Sequence, residues 1–238
     1  NVNLPHEVTI TEKIVVQEGA LLVVKVLEDK KIYNQLELAS GRLSTLKKGD
    51  VIVVALGNRR ALKGFVGEVP KKLAVGDTIN VLNLGGVAGL CTSENLKEVG
   101  HALKAKVLGA VATDTNKAPL NIKQFTLFSP KQTLESKTQL IVVSGTCMNV
   151  GKTSTACEII KHANRKGFKV FAAKLAGVAA LRDTENMKDY GAQEAVTFVD
   201  AGFTSTVNNG DKAIDVTKGA IDYLSHGQPH FIVIEFGD

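Results

Sequence analysis

Residues 139–153 read Gln-Leu-Ile-Val-Val-Ser-Gly-Thr-Cys-Met-Asn-Val-Gly-Lys-Thr. The segment Leu140-Ile141-Val142-Val143 is short, apolar and mostly β-branched, the composition of a strand covered on both faces. Two glycines, Gly145 and Gly151, then bracket Thr146, Cys147, Met148, Asn149 and Val150, and Lys152, Thr153 and Ser154 follow. From Thr153 to Arg165, Ala156, Ile159, Ile160 and Ala163 recur at the spacing of one helix face. Lys161, Arg165 and Lys166 load the C-terminal end with positive charge, and Gly167 supplies an exit. Val170-Phe171-Ala172-Ala173 reads as the next strand, so 139–173 has the length of one strand–helix–strand unit.

A glycine-rich turn between a strand and a helix is suited to phosphate. Backbone N–H groups converge there without side chains in the way, and the helix N-terminus adds partial positive charge. Lys152 brings an ammonium to the β- and γ-phosphates, and the Thr153 hydroxyl is a candidate Mg²⁺ ligand. The residues read as nucleotide-binding are therefore Gly145, Thr146, Cys147, Met148, Asn149, Val150, Gly151, Lys152, Thr153 and Ser154. The spacing departs from the common P-loop, because five residues separate the glycines where four are usual, and Thr146 stands where the first glycine would be.

Further along, Lys212–Ser225 is helical in pattern and Phe231–Glu235 is strand-like. Only about three strands are visible after residue 139, so the sequence is expected to stop inside its C-terminal domain. Before residue 93 the pattern changes to short β segments, including Leu21–Leu27, Val51–Leu56 and Thr78–Leu84, punctuated by turns such as Lys48-Gly49-Asp50 and Gly76-Asp77. Ser93 to Val99 is expected as a short helix, Ala105–Val111 as a strand, and the polar, proline-marked stretch 113–138 as a linker. The expected organisation is a small β-rich, barrel-like domain over 1–92, a short α/β segment and linker over 93–138, and an α/β, Rossmann-like, mostly parallel P-loop nucleotide-binding domain over 139–238.

Composition restricts the alternatives. The 238 residues are 44% hydrophobic and 22% charged, which suits a globular chain and disfavours disorder. No apolar run approaches the roughly 20 residues that span a bilayer, and no membrane partner is expected. Cys91, Cys147 and Cys157 are odd in number and unpaired in spacing, so a reducing, cytoplasmic setting is expected. The net charge of +5 resides before residue 139, where 19 Lys and Arg face 13 Asp and Glu. Without tryptophan or an aromatic-interleaved basic stripe, no nucleic-acid partner is expected. His226 and His230 stand four apart, but Gly227 and Pro229 deny them a shared helix face.

The form Gly145-Thr146-x-x-x-Val150-Gly151-Lys152-Thr153 resembles the loop of dethiobiotin synthetase and its relatives among the P-loop NTPases, the group that includes MinD/ParA ATPases and metallocentre-assembly GTPases. The resemblance implies further site residues. In dethiobiotin synthetase a Lys-Pro pair after the second strand helps hold substrate and phosphate; here Lys174 occupies that position, with Leu175 in place of the proline. The relatives carry a Val-Glu-Gly step at a later strand end, where this chain has Ile234-Glu235-Phe236-Gly237, so Glu235 is a candidate for Mg²⁺. They also supply a magnesium-associated aspartate from the region that here reads Arg182–Asp189, where Asp183 and Asp189 both qualify.

The resemblance implies an ATP-dependent enzyme, ligase-like or kinase-like, acting on a carboxylate, carbamate or similar small-molecule oxyanion. Lys152 and Lys174 would be its catalytic residues, with Thr153, Glu235 and Asp183 at the metal. A second reading is an ATP- or GTP-switched assembly or regulatory protein, a homodimer across the nucleotide, with the β-rich half as docking module. The cofactors are Mg²⁺ with ATP or GTP; neither the base nor the acceptor follows from the residues.

Overall fold

The computed structural model describes residues 2–61, 64–147, 150–207 and 210–237. The strands are β1 (Thr9–Thr11), β2 (Leu21–Val26), β3 (Gln35–Glu37), β4 (Leu43–Thr45), β5 (Val51–Leu56), β6 (Phe65–Glu68), β7 (Thr78–Val81), β8 (Val87–Glu94), β9 (Leu103–Ala112), β10 (Gln139–Val143), β11 (Val170–Lys174), β12 (Glu194–Thr197) and β13 (Phe231–Glu235). The α-helices are α1 (Lys152–Arg165), α2 (Arg182–Asp189) and α3 (Gly210–Ser225).

The α/β class expected from the sequence, with a Rossmann-like and mostly parallel sheet, is not the class the chain adopts. Among the described residues, thirteen strands in three sheets stand against three α-helices. The largest sheet has seven strands, and all its pairings are antiparallel except β5 with β8. The fold is mixed and dominated by β-structure. The physical reason lies in the connections. Parallel neighbours need crossovers of a dozen or more residues, and before residue 139 the short connections 38–42 and 82–86 bring β4 beside β3 and β8 beside β7 as antiparallel neighbours.

Contacts divide the chain into two units. The first holds the chain up to Phe125, together with Val178–Ala180 and Gly202–Val207; the second holds Thr126–Gly177, Leu181–Ala201 and the remainder. In the first, β2 pairs with β5, β5 with β8, β8 with β7, β7 with β9 and β9 with β2, so the sheet closes on itself. Alternate residues point inward and fill the interior: Leu22, Val24, Val26, Val54, Leu56, Ile79, Val81, Leu103, Ala105 and Val107. The strand β9 is integral to this closure and lies beyond the boundary expected at 92. The expected helix from Ser93 is absent, because β8 runs on through Glu94 and pairs with β6. Val178 bridges Ser205, and Thr204 donates to Glu18 Oε1 at 2.8 Å, within the same unit.

In the second unit, β10, β13, β11 and β12 lie in that order and all pair in parallel. The helix α1 covers this sheet with Ala156, Cys157, Ile160 and Ala163, packed with Val143, Val170, Ala172 and Val233. Burying such a face is what stabilises a helix of this length in water. Among the described residues no helix is long and apolar enough to cross a membrane.

Gly219 on α3 is required by close approach, since a Cβ there would stand 2.2 Å from Ser129 O. The opposing chain cannot retreat easily. Lys131 N donates to Asp215 O at 2.9 Å, Lys131 Nζ pairs with buried Asp222 at 3.0 Å, and Ser136 N donates to Asp222 Oδ1 at 2.8 Å. Gly219→Ala should gain about 1 kcal/mol of helix propensity yet lose more to the clash, for a net destabilisation of about 2 kcal/mol. Urea unfolding measures this, and an unchanged or raised midpoint would show that the Ser129 segment yields.

Candidate functional site

The sequence places Gly145–Lys152 where β10 ends and α1 begins, and the structure turns the chain there. Gly151 has φ +94°, a conformation that glycine adopts without strain, and it caps α1. No side chain caps this helix and its first turn carries no acidic residue. The first N–H groups of a helix have no intrahelical partner, so the end of α1 carries partial positive charge. Gly145 admits close approach, because a Cβ there would meet Val150 Cγ2 at 2.8 Å and Lys152 Cγ at 3.1 Å. Lys152 Nζ folds back on the loop and donates to Cys147 O at 2.7 Å. Thr146, Cys147, Val150 and Ser154 are exposed, whereas Met148 and Asn149 lie outside the described residues.

Strand register assembles the rest. Glu235 ends β13, which runs between β10 and β11, and it is level with Val143 on one side and Lys174 on the other. The three strand ends therefore deliver the loop, the carboxylate and an amine to one edge of the sheet, the edge where open parallel sheets bind ligands. The main chain locks the arrangement: Phe236 N donates to Val143 O at 2.9 Å and Leu175 N to Glu235 O at 3.1 Å.

Four of the residues singled out from the sequence meet here. Thr153 Oγ1 donates to Glu235 Oε1 at 3.0 Å. Lys174 Nζ donates to the same oxygen and lies 3.4 Å from Asp183 Oδ2. Asp183 sits in the first turn of α2, and Arg182 Nε is 4.0 Å from its other oxygen. Of the two aspartates left open by the sequence, Asp183 lies at this edge, whereas Asp189 is exposed at the far end of α2. Glu235 is 1% exposed, and its Oε2 has no hydrogen-bond partner among the described residues.

Such an orphaned carboxylate oxygen is costly unless something compensates it. Mg²⁺ fits the donor set. Two oxygens in adjacent octahedral positions around Mg²⁺ stand about 3.0 Å apart, and Thr153 Oγ1 and Glu235 Oε1 are 3.0 Å apart. Among the described residues no group of three or more His, Cys, Asp or Glu gathers as a metal nest. Mg²⁺ needs only one or two protein oxygens when phosphates and water supply the others.

Cys157 was not among the sequence candidates, yet it lies beneath this edge. Burial, followed by the charges of Glu235, Asp183 and Glu158, pushes its thiol up. A buried thiol of raised pKa is unreactive, whereas Cys147 is exposed on the loop. At neutral pH iodoacetamide should modify Cys147 well before Cys157, and saturating Mg·ATP should slow Cys147 labelling about tenfold or more. Peptide mass spectrometry reads both sites, and labelling of Cys147 indifferent to nucleotide would separate the loop from phosphate binding.

Compared with protein-family models, curated proteins and solved structures, the chain matches none.

Proposed function

We propose that the second unit binds a Mg²⁺–nucleoside triphosphate at Gly145–Thr153 and transfers its γ-phosphoryl group to an oxyanion, a carboxylate or carbamate on a small molecule. The observation that carries this reading is the convergence of Thr153 from α1 and Lys174 from β11 on the buried Glu235 carboxylate, beside an uncapped helix N-terminus. The resemblance of the loop to that of dethiobiotin synthetase supports the choice of acceptor class.

The roles follow from chemistry. The loop amides and the first N–H groups of α1 hold the β- and γ-phosphates. Lys152 leaves the Cys147 carbonyl for a phosphate oxygen, a stronger acceptor for an ammonium. Thr153 and Glu235 would hold Mg²⁺, which would supply charge to neutralise the phosphates. Lys174 orients the acceptor. The acceptor oxygen attacks the γ-phosphorus in line; a new P–O bond forms, the bond to the β,γ-bridging oxygen breaks, and the nucleoside diphosphate leaves with that electron pair. Lys152 and Lys174 offset the charge spread over the equatorial oxygens.

Isothermal titration with Mg·ATP and Mg·GTP tests the proposal, followed by a screen of small carboxylates and amines plus bicarbonate for nucleoside diphosphate release. Selective ATP binding with acceptor-dependent release supports it, and a folded protein that binds neither nucleotide sinks it. The first unit closes a core of its own around Leu22, Val54, Ile79 and Leu103, which suits the second reading of a nucleotide-switched protein with that unit as docking module. Selective GTP binding, or nucleotide-dependent dimerisation with no acceptor, would favour that reading.

A further inference from the structure

Lys174 occupies a position that does more than reach an acceptor. Its ammonium shares one oxygen of Glu235 with the Thr153 hydroxyl, and Asp183 stands at 3.4 Å on its other side. The lysine side chain is 17% accessible and that of Glu235 only 2%. A carboxylate this deep requires a compensating cation, and Lys174 is the cation its ion pairing provides among the described residues. The register opposite one another on β11 and β13 sets the two side chains side by side. Mg²⁺ held by Thr153 must face that same carboxylate. Two cations on one carboxylate repel, and the dication prevails by charge. Asp183 offers the displaced ammonium a second anionic partner without a change of backbone.

We propose that Lys174 is the resident counter-cation of Glu235, displaced by Mg²⁺, so that metal entry hands the ammonium to Asp183 and turns it toward the acceptor. The inference rests on the reading of Thr153 and Glu235 as the metal position. The proton stays on Nζ throughout, so the exchange moves charge without releasing a proton. It makes Lys174 a positioning residue with two states, and it orders the reaction. Before metal arrives the lysine is committed to Glu235, and only afterwards can it meet an oxyanion.

The test uses the full chain as wild type, Lys174→Met and Lys174→Arg, with Mn²⁺ as a paramagnetic probe and no nucleotide. Lys174→Met should bind Mn²⁺ about tenfold more tightly than wild type, because the competing cation is gone, whereas Lys174→Arg should stay close to wild type. Lys174→Met should also melt lower without metal and recover with Mn²⁺, a rescue absent from wild type. In wild type without nucleotide, acetylation of Lys174 by an amine-reactive reagent should rise about threefold or more when saturating Mg²⁺ is added; this arm needs no variant and survives any failure of Lys174→Met to fold. Mn²⁺ affinity unchanged in Lys174→Met, or Lys174 acetylation indifferent to Mg²⁺, would overturn the exchange. If Mg·ATP still bound in a Lys152-dependent way, the nucleotide site would stand without it. If Mn²⁺ binding tightened while no nucleotide bound, the exchange would stand and the phosphate reading of the loop would fall.

Discussion

Lys152→Ala is expected to weaken Mg·ATP binding at least about 100-fold and to remove turnover. The side chain supplies the one ammonium at the loop, and in the free protein it rests on Cys147 O at 2.7 Å. Exchanging a neutral carbonyl for a phosphate oxygen strengthens each hydrogen bond it makes. Its loss removes both a charge-assisted bond to the triphosphate and the charge that offsets the transferring group. The fold should be little affected, because Lys152 is half-buried at a helix end and its bond is local to the loop. Titration calorimetry with a circular-dichroism control measures both. An intact Lys152→Ala fold that binds Mg·ATP as wild type does would mean the loop does not hold phosphate.

Glu235→Gln should show two separable losses. The amide keeps the size of the carboxylate and can still accept from Thr153 and Lys174 through its oxygen. Its NH₂ would then occupy the buried, unpartnered place of Oε2 and lack an acceptor, while Lys174 would lose its counter-charge. An unsatisfied buried donor costs about 1–3 kcal/mol, and the half-exposed position of Lys174's other partner, Asp183, limits any further loss. Chemical denaturation should therefore show a drop of about 2 kcal/mol in stability. Independently, if Glu235 holds Mg²⁺ as proposed, turnover should fall at least about 1,000-fold, because that carboxylate has lost its charge. Steady-state assays across Mg²⁺ concentrations measure this, and turnover within threefold of wild type would remove Glu235 from the metal position. Retained stability with lost turnover would assign Glu235 to the metal alone.

Much of the second unit is legible in the residues because its signals are local. The apolar run at 140–143, the helical spacing of Ala156, Ile160 and Ala163, and the run Val170–Ala173 correspond to β10, α1 and β11, elements whose side-chain periodicity is written over a few turns. The choice of Asp183 was not legible. Asp183 and Asp189 are the same residue type and close in sequence, and only the placement of α2 brings the first to Lys174 and leaves the second in solvent. Cys157 gave no signal of its position beneath Glu235, since a cysteine on an apolar helix face reads as filler. The helix expected from Ser93 failed for a related reason. A capping residue and a terminal glycine satisfy local rules, but β6 pairs with the first residues of that stretch, Ser93 and Glu94, and tertiary pairing overrides propensity.

By itself the sequence indicated β10, α1, β11, α3 and β13 after residue 139, but not α2 or β12. The signals of those five elements depend on composition within a turn or two of chain. Tertiary structure alone decided the class, through the closure of β2, β5, β8, β7 and β9 and the incorporation of β9 beyond the expected boundary. It alone also set Glu235 level with Lys174. Both are matters of which strand lies beside which and in what register. A strand carries its period of two in its own residues, but its neighbour is chosen by the burial of the whole sheet.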